Sequence, residues 1–139
     1  MEISKVSLDS ISANLQNGVV LTSSELNNFL VKDLTNTIQY QDKFVCADYA
    51  ERLASNAREQ KYQMGVLYLW GFYTETHKPW SHALNQIVTT EGLVVIEPQN
   101  DMWWYANQHE IRVGEDFLFW YFDPPCNIHI ERIVSFSLP

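Results

Sequence analysis

The first part of the chain carries apolar residues at helical spacing. Thr22-Ser23-Ser24-Glu25 is a capping-box pattern, in which a Thr hydroxyl and a Glu carboxylate satisfy backbone N–H groups at a helix start. Apolar residues follow it three and four positions apart, namely Leu26, Phe29, Leu30, Val31 and Leu34. This spacing predicts a helix over about residues 23–34, with that stripe facing the core.

A second helix is predicted from a longer amphipathic segment, for which Asp42 is a suitable N-terminal cap. Charged residues lie outside its apolar stripe. The stripe consists of Phe44 or Val45, then Tyr49, Leu53, Ala54 and Ala57. Cys46 is therefore expected in the first turn of this helix.

After Gly65 the apolar pattern changes to the two-residue period of strands. Residues 83–89 and 93–96 predict a β-hairpin around Thr90-Glu91-Gly92. The other predicted strands are 66–74, 116–122 and 128–138. Because helices precede strands, the fold class is predicted to be α+β. We expect N-terminal helices, with a Cys-bearing central helix packed on an antiparallel sheet of four to six strands.

The composition indicates one globular domain over residues 1–139. The 139 residues are 46% hydrophobic and 19% charged, and the chain has no repeat or linker-like segment. The formal charge of −8 repels a phosphate backbone, so we expect no binding to nucleic acid or anionic membranes. Two cysteines outside any Cys-x-x-Cys pair, no signal-peptide pattern and no membrane-length apolar run predict a cytoplasmic protein.

Cys46, His82 and Glu97 are the candidate catalytic residues. Free N–H groups and the dipole at a helix start stabilise a thiolate, so Cys46 lies where a thiol is activated. In a hairpin whose turn is centred between residues 90 and 91, paired residue numbers sum to 181. His82 and Glu97 are then diagonal neighbours on one face of the sheet, within reach of each other's side chains.

A second hairpin register, with its turn at residues 91–92, would instead place Asp101 opposite His82. Asp101 is therefore the alternative orienting acid. The Cys46 backbone N–H is a natural donor to an oxyanion, and a side-chain amide of Gln39 or Gln41 is a further candidate. Those glutamines are equally compatible with plain surface positions. Cys126, after two prolines, is expected to be a packing residue.

Three segments carry a resemblance to an enzyme family. They are Cys46-Ala47-Asp48-Tyr49-Ala50, Ser81-His82-Ala83-Leu84-Asn85 and Val95-Ile96-Glu97-Pro98. In order, spacing and context they resemble the transglutaminase-like branch of the papain-like cysteine enzymes, over about residues 41–101. That family usually has Asp at the acidic position, whereas this chain has the longer Glu97, which must fold back to hold the same distance.

The resemblance implies a papain-like, transglutaminase-like core that performs thiol-dependent acyl transfer on a protein or peptide amide. His82 would take the Cys46 proton, the thiolate would attack the carbonyl, and Glu97 would hold the imidazolium. Resolution by water gives a peptidase, amidase or deamidase, and resolution by an amine gives a transglutaminase. No cofactor is implied.

Two other hypotheses compete with this one. A metal site is disfavoured, because no pair of ligands has a spacing such as His-x-x-x-His or Cys-x-x-Cys. The candidate ligands are His77, His82, His109, His129, Cys46 and Cys126. A catalytically silent papain-like binding or inhibitory module is the non-enzyme alternative.

The aromatic residues of segments 103–105 and 117–122 point to both faces of their strands. They would pack as a second layer over the sheet, line a ligand cleft, or form a homodimer interface. The sequence favours the packed second layer.

Overall fold

The computed structural model describes residues 1–8, 20–40 and 45–137. These ranges form two helices packed on a seven-stranded antiparallel sheet, which confirms the α+β class and corrects the expected four to six strands. The helices are α1 (Ser23–Lys32) and α2 (Cys46–Glu59). The strands are β1 (Glu2–Ile3), β2 (Gly65–Tyr73), β3 (Pro79–Thr89), β4 (Gly92–Ile96), β5 (Trp103–Tyr105), β6 (Asp116–Phe119) and β7 (Cys126–Ser137).

Helix α1 begins at the predicted capping box. Thr22 Oγ1 accepts the Glu25 N–H at 3.1 Å, and Glu25 Oε1 accepts the Thr22 N–H at the same distance. The helix ends at Lys32, because Asp33 is extended and its carboxylate accepts a backbone N–H two residues further on. In the described ranges, no helix is long and apolar enough to cross a membrane.

The apolar stripe expected along α1 is only partly buried. Leu26 and Leu30 are buried between the helix and the sheet. Val31 and Leu34 are exposed, contrary to the expectation that they face the core. Leu34 lies beyond the helix end, so helical spacing does not govern its direction.

Helix α2 buries the face that its sequence predicts from Tyr49 onward, whereas Val45, one of the two candidates for the start of the stripe, is exposed. The buried residues are Tyr49, Ala50, Leu53, Ala54 and Ala57. Cys46 is the first helical residue, and at the N-terminus Asp48 Oδ2 accepts the Val45 N–H at 2.8 Å. The expected cap, Asp42, and the expected stripe residue Phe44 lie outside the described residues.

The strands lie in the order β1-β7-β2-β3-β4-β5, and β6 also pairs with β7. In the β3–β4 hairpin, Thr89 pairs with Gly92 and Asn85 with Ile96. Paired numbers therefore sum to 181, as in the first of the two registers considered. The alternative register, which would have placed Asp101 opposite His82, is wrong.

The sheet has an apolar core on each face. On the helix side, α1 and α2 pack against residues such as Ala83 and Ile87. On the other side, Trp104 of β5 stacks on Phe117 of β6 with ring centroids 6.2 Å apart. Because β5 and β6 lie at opposite edges of the sheet, this contact requires the sheet to curl around the second core.

The expected second aromatic layer is present in that core. Trp104, Phe117 and Phe119 are buried there, while Leu118 and Trp120 are partly exposed. The strand alternation predicted for consecutive aromatics therefore holds in β5 and β6. A homodimer interface built from aromatic residues can therefore use only the rings that are not buried in this core.

Candidate active site

Cys46, His82 and Glu97 come together where the β3–β4 hairpin passes the N-terminus of α2. His82 Nε2 and Glu97 Oε1 are 2.5 Å apart. That contact leaves Nδ1 of the ring for a second partner, and interaction with His82 lowers the pKa of the Cys46 thiol. The three side chains thus form a line of thiol, imidazole and carboxylate.

The Cys46 thiol and His82 meet beside the part of β3 that no longer pairs with β4. Ala83 faces the helices, whereas His82 faces the aromatic core on the opposite side of the sheet. The β3–β4 ladder ends at residue 85, and in the same register Ala83 would next meet Pro98. Proline has no N–H to continue a ladder. The Ala83 N–H lowers the pKa of the Cys46 thiol, which indicates that Cys46 lies near the point where β4 stops pairing.

The charges of Cys46 and His82 support each other. The hydrogen bond with His82 lowers the pKa of the Cys46 thiol despite partial burial, and the N–H groups of Ala83 and Ala47 lower it further. Burial by itself lowers the pKa of His82, but hydrogen bonds with Cys46 and Glu97 outweigh it and raise the pKa to about 9. The arrangement therefore favours a thiolate beside an imidazolium.

The Glu97 carboxylate is fully buried and held by several donors. Besides His82, the Tyr121 hydroxyl donates to Oε1 at 3.0 Å, and the Gln99 N–H donates to Oε2 at 3.5 Å. Sequence reasoning missed Tyr121, which lies 24 residues after Glu97 within an aromatic run. No local motif marks it, because the contact depends on how the segment after β6 folds over the sheet.

Asp101 belongs to the turn that follows Glu97. Its N–H donates to the Glu97 carbonyl at 2.9 Å, and its φ of 62° closes the turn. Burial raises the pKa of Asp101 to about 6, and the charge of Asp33 adds to the shift. The acid that meets His82 is thus Glu97, and Asp101 shapes the loop behind it.

Asn85 attaches α2 to the sheet. Its buried Nδ2 donates to the Ala50 carbonyl at 2.7 Å and to the Gly65 carbonyl at 3.3 Å. Ala50 lies one helical turn after Cys46, so this side chain fixes the height of the thiol relative to His82 on the same strand. Asn85 is a further residue of the site that sequence reasoning did not assign a role.

Aromatic rings surround the imidazole. Ring centroids of Trp80, Phe122 and Phe119 lie 5.7, 5.6 and 6.2 Å from that of His82. The His82 side chain is only 8% exposed, whereas Cys46 is half-buried. Of the two, the thiol is the more accessible to a reactant.

Neither Cys126 nor Gln39 is among the hydrogen-bond partners of His82 and Glu97 described above. Cys126 is a free, half-buried thiol whose Sγ contacts the Pro124 carbonyl at 3.7 Å. Gln39 is exposed, and Gln41 lies outside the described residues. Within the ranges that the structure describes, His, Cys, Asp and Glu form no group of three that could hold a metal ion.

A scan against protein-family models and a search of the curated proteins give no match to this chain. The most specific feature is a histidine with a buried carboxylate on one ring nitrogen and a thiol for the other.

Proposed function

We propose that this protein is a thiol-dependent acyl-transfer enzyme acting on a protein or peptide amide. Cys46 is the nucleophile, His82 the general base and acid, and Glu97 the residue that orients His82. We also propose that the core is papain-like, of the transglutaminase-like branch. The observation that carries the proposal is the His82–Glu97 contact of 2.5 Å combined with the Cys46 thiol as second partner of the ring.

In the proposed acylation of Cys46, each of the three groups has one role. Glu97 accepts the Nε2 proton of His82, so Nδ1 accepts the proton of the Cys46 thiol. The thiolate forms a bond to the carbonyl carbon, and the electron pair of the C=O bond moves to oxygen. When the oxyanion collapses, the C–N bond breaks, and the imidazolium gives its proton to the leaving amine. The product is a thioester on Cys46.

The second half of the reaction reverses these roles. His82 takes a proton from water or from an amine, which attacks the thioester carbonyl and releases the thiolate. Hydrolysis defines a peptidase, amidase or deamidase, and aminolysis defines a transglutaminase. In either case the Cys46 backbone N–H supports the proposal as oxyanion donor, because the first N–H groups of a helix lack an intrahelical acceptor.

The first prediction tests this chemistry with p-nitrophenyl acetate, a generic acyl donor. We expect a burst of nitrophenolate and an acetyl adduct that mass spectrometry locates on Cys46. Cys46→Ala should abolish both, and His82→Ala should slow acylation by about 10²-fold or more, because it removes the general base. Cys126→Ala is the matched control and should behave as wild type.

Labelling of Cys46 and Cys126 at equal rates would contradict the proposal. The protein would then be the catalytically silent binding or inhibitory module. A burst that persists in Cys46→Ala would exclude Cys46 as the nucleophile. Asp101→Ala should leave acylation unchanged, because Asp101 does not meet His82.

A further inference from the structure

We propose that Tyr121 is a positioning residue of this site, which stabilises the charge of Glu97 against His82 and thereby maintains the Cys46 thiolate. The proposal rests on the proposed function, because it concerns the same three side chains. It adds a fourth member that lies outside the segments carrying the family resemblance.

The geometry at Glu97 gives Tyr121 this role. The Glu97 side chain is 0% exposed, and its Oε1 accepts both the His82 ring nitrogen at 2.5 Å and the Tyr121 hydroxyl at 3.0 Å. A buried carboxylate is costly to ionise unless donors replace the lost water. Tyr121 is the neutral donor on the oxygen that faces His82.

Packing holds the Tyr121 hydroxyl in place. Ring centroids of Phe122, Trp120, Trp104 and Phe119 lie 4.7, 5.4, 5.6 and 6.2 Å from that of Tyr121. Burial, and then the charge of Glu97, raise the pKa of Tyr121 above its ordinary value. The hydroxyl therefore remains protonated and acts only as a donor to the carboxylate.

The titratable groups of this site and its surroundings come from five parts of the fold. His82 of β3 and Tyr121, after β6, face Glu97 at the end of β4. Cys46 of α2 faces His82, and Tyr68 of β2 is within charge range of Cys46. Of these groups, only His82 and Tyr121 contact the carboxylate directly through side chains.

Removing the Tyr121 hydroxyl should change the pH at which the Cys46 thiol ionises. With one donor fewer, the buried Glu97 carboxylate is held less firmly against His82, so the imidazolium of His82 loses part of its contact with the counter-charge. The Cys46 thiolate depends on that imidazolium, so it should form only at higher pH. Hydrogen bonds to charged groups are strong enough to shift the Cys46 titration midpoint by about one pH unit.

The experiment measures the rate of iodoacetamide alkylation of Cys46 against pH. Tyr121→Phe should raise the midpoint by about one pH unit. At pH values below the wild-type midpoint, alkylation of Cys46 should then be roughly tenfold slower. Tyr105→Phe is the matched control, because it removes a hydroxyl that bonds to Ser23 at 2.6 Å on the helix side of the sheet. Its midpoint should equal that of wild type.

A second substitution keeps the test valid if Tyr121→Phe does not fold. A fluorotyrosine at position 121 retains the ring and hydroxyl but donates more strongly, so the Cys46 midpoint should fall. Unchanged midpoints in both variants overturn the role of Tyr121 and leave the proposed function intact. A wild-type Cys46 midpoint equal to that of Cys126 overturns the proposed function itself, and with it this inference.

Discussion

At the scale of single residues, the charge states of Cys46 and His82 are coupled. The pKa of Cys46 is lowered and that of His82 is raised to about 9, each through the hydrogen bond with the other. The imidazolium is therefore retained from acid pH up to about pH 9. The thiolate forms below the ordinary range of a cysteine, so the charged pair exists between the lowered Cys46 value and about pH 9.

Nuclear magnetic resonance of the histidine ring carbons checks the upper limit of this window. We expect His82 to lose its proton near pH 9 in wild type. In Cys46→Ala the pKa of His82 should fall, because one of the two hydrogen bonds that oppose its burial is removed.

Cys46→Ala also tests how His82 contributes to the stability of the fold, and the raised pKa of His82 sets the sign of that contribution. A group whose pKa is raised on folding stabilises the folded state when it is protonated. For His82 this stabilisation is complete below the unfolded pKa of about 6.5 and is lost as the pH rises through about 9. The His82 contribution should thus decline over this range and be smaller in Cys46→Ala. A His82 titration that is identical in wild type and Cys46→Ala would contradict the coupling.

At the scale of elements, the site depends on how α2 is fixed to β3. One hydrogen bond of Asn85 joins the strand that carries His82 to the helix that begins with Cys46, and the other joins it to the Gly65 carbonyl at the start of β2. Asn85→Ala leaves the carbonyls of Ala50 and Gly65 without this donor in a buried place. We expect a loss of about 1–3 kcal/mol in the free energy of unfolding, measured by urea denaturation.

The matched control is Asn107→Ala, at an exposed asparagine, which should change stability by less than about 0.5 kcal/mol. Asn85→Ala should also raise the alkylation midpoint of Cys46, because the thiol is no longer held against His82. Equal stability of the two variants would show that the Asn85 contacts do not fix the helix.

For the whole molecule, the curled sheet brings its two edges together over the second core. Trp104 of β5 is 4% exposed and packs against Phe117 and Tyr121, which lie in or after β6. Trp104→Ala opens a large cavity between the edges. We expect it to lower the free energy of unfolding by about 3–5 kcal/mol, measured by denaturant titration.

Trp120→Ala provides the comparison, because that ring is 36% exposed and leaves a smaller cavity. It should cost clearly less stability than Trp104→Ala. The reverse order would mean that the two edges are not joined through Trp104. Because Trp104 also contacts Tyr121, its loss should disturb the donor to Glu97. The positions of His82 on β3 and of Cys46 on α2 should be retained.

The sequence by itself determined the local features of this protein. The capping box set the start of α1, the apolar stripe of α2 placed Cys46 in its first turn, and the two-residue period marked five of the seven strands but not β1 or β5. Of the two hairpin registers that the sequence allowed, the structure has the one with its turn centred between residues 90 and 91, which joins His82 to Glu97. These features are readable because helix and strand periods and hairpin turns depend on neighbours a few residues apart.

Only the tertiary structure decided the long-range contacts. The curl of the sheet brought Trp104 to Phe117, and the segment after β6 brought Tyr121 to Glu97. The exposure of Val31 and the attachment of α2 by Asn85 likewise depend on where the helices meet the sheet. Periodicity shows which face of an element is buried but not against what, because sheet curvature and packing arise from the sum of many distant contacts.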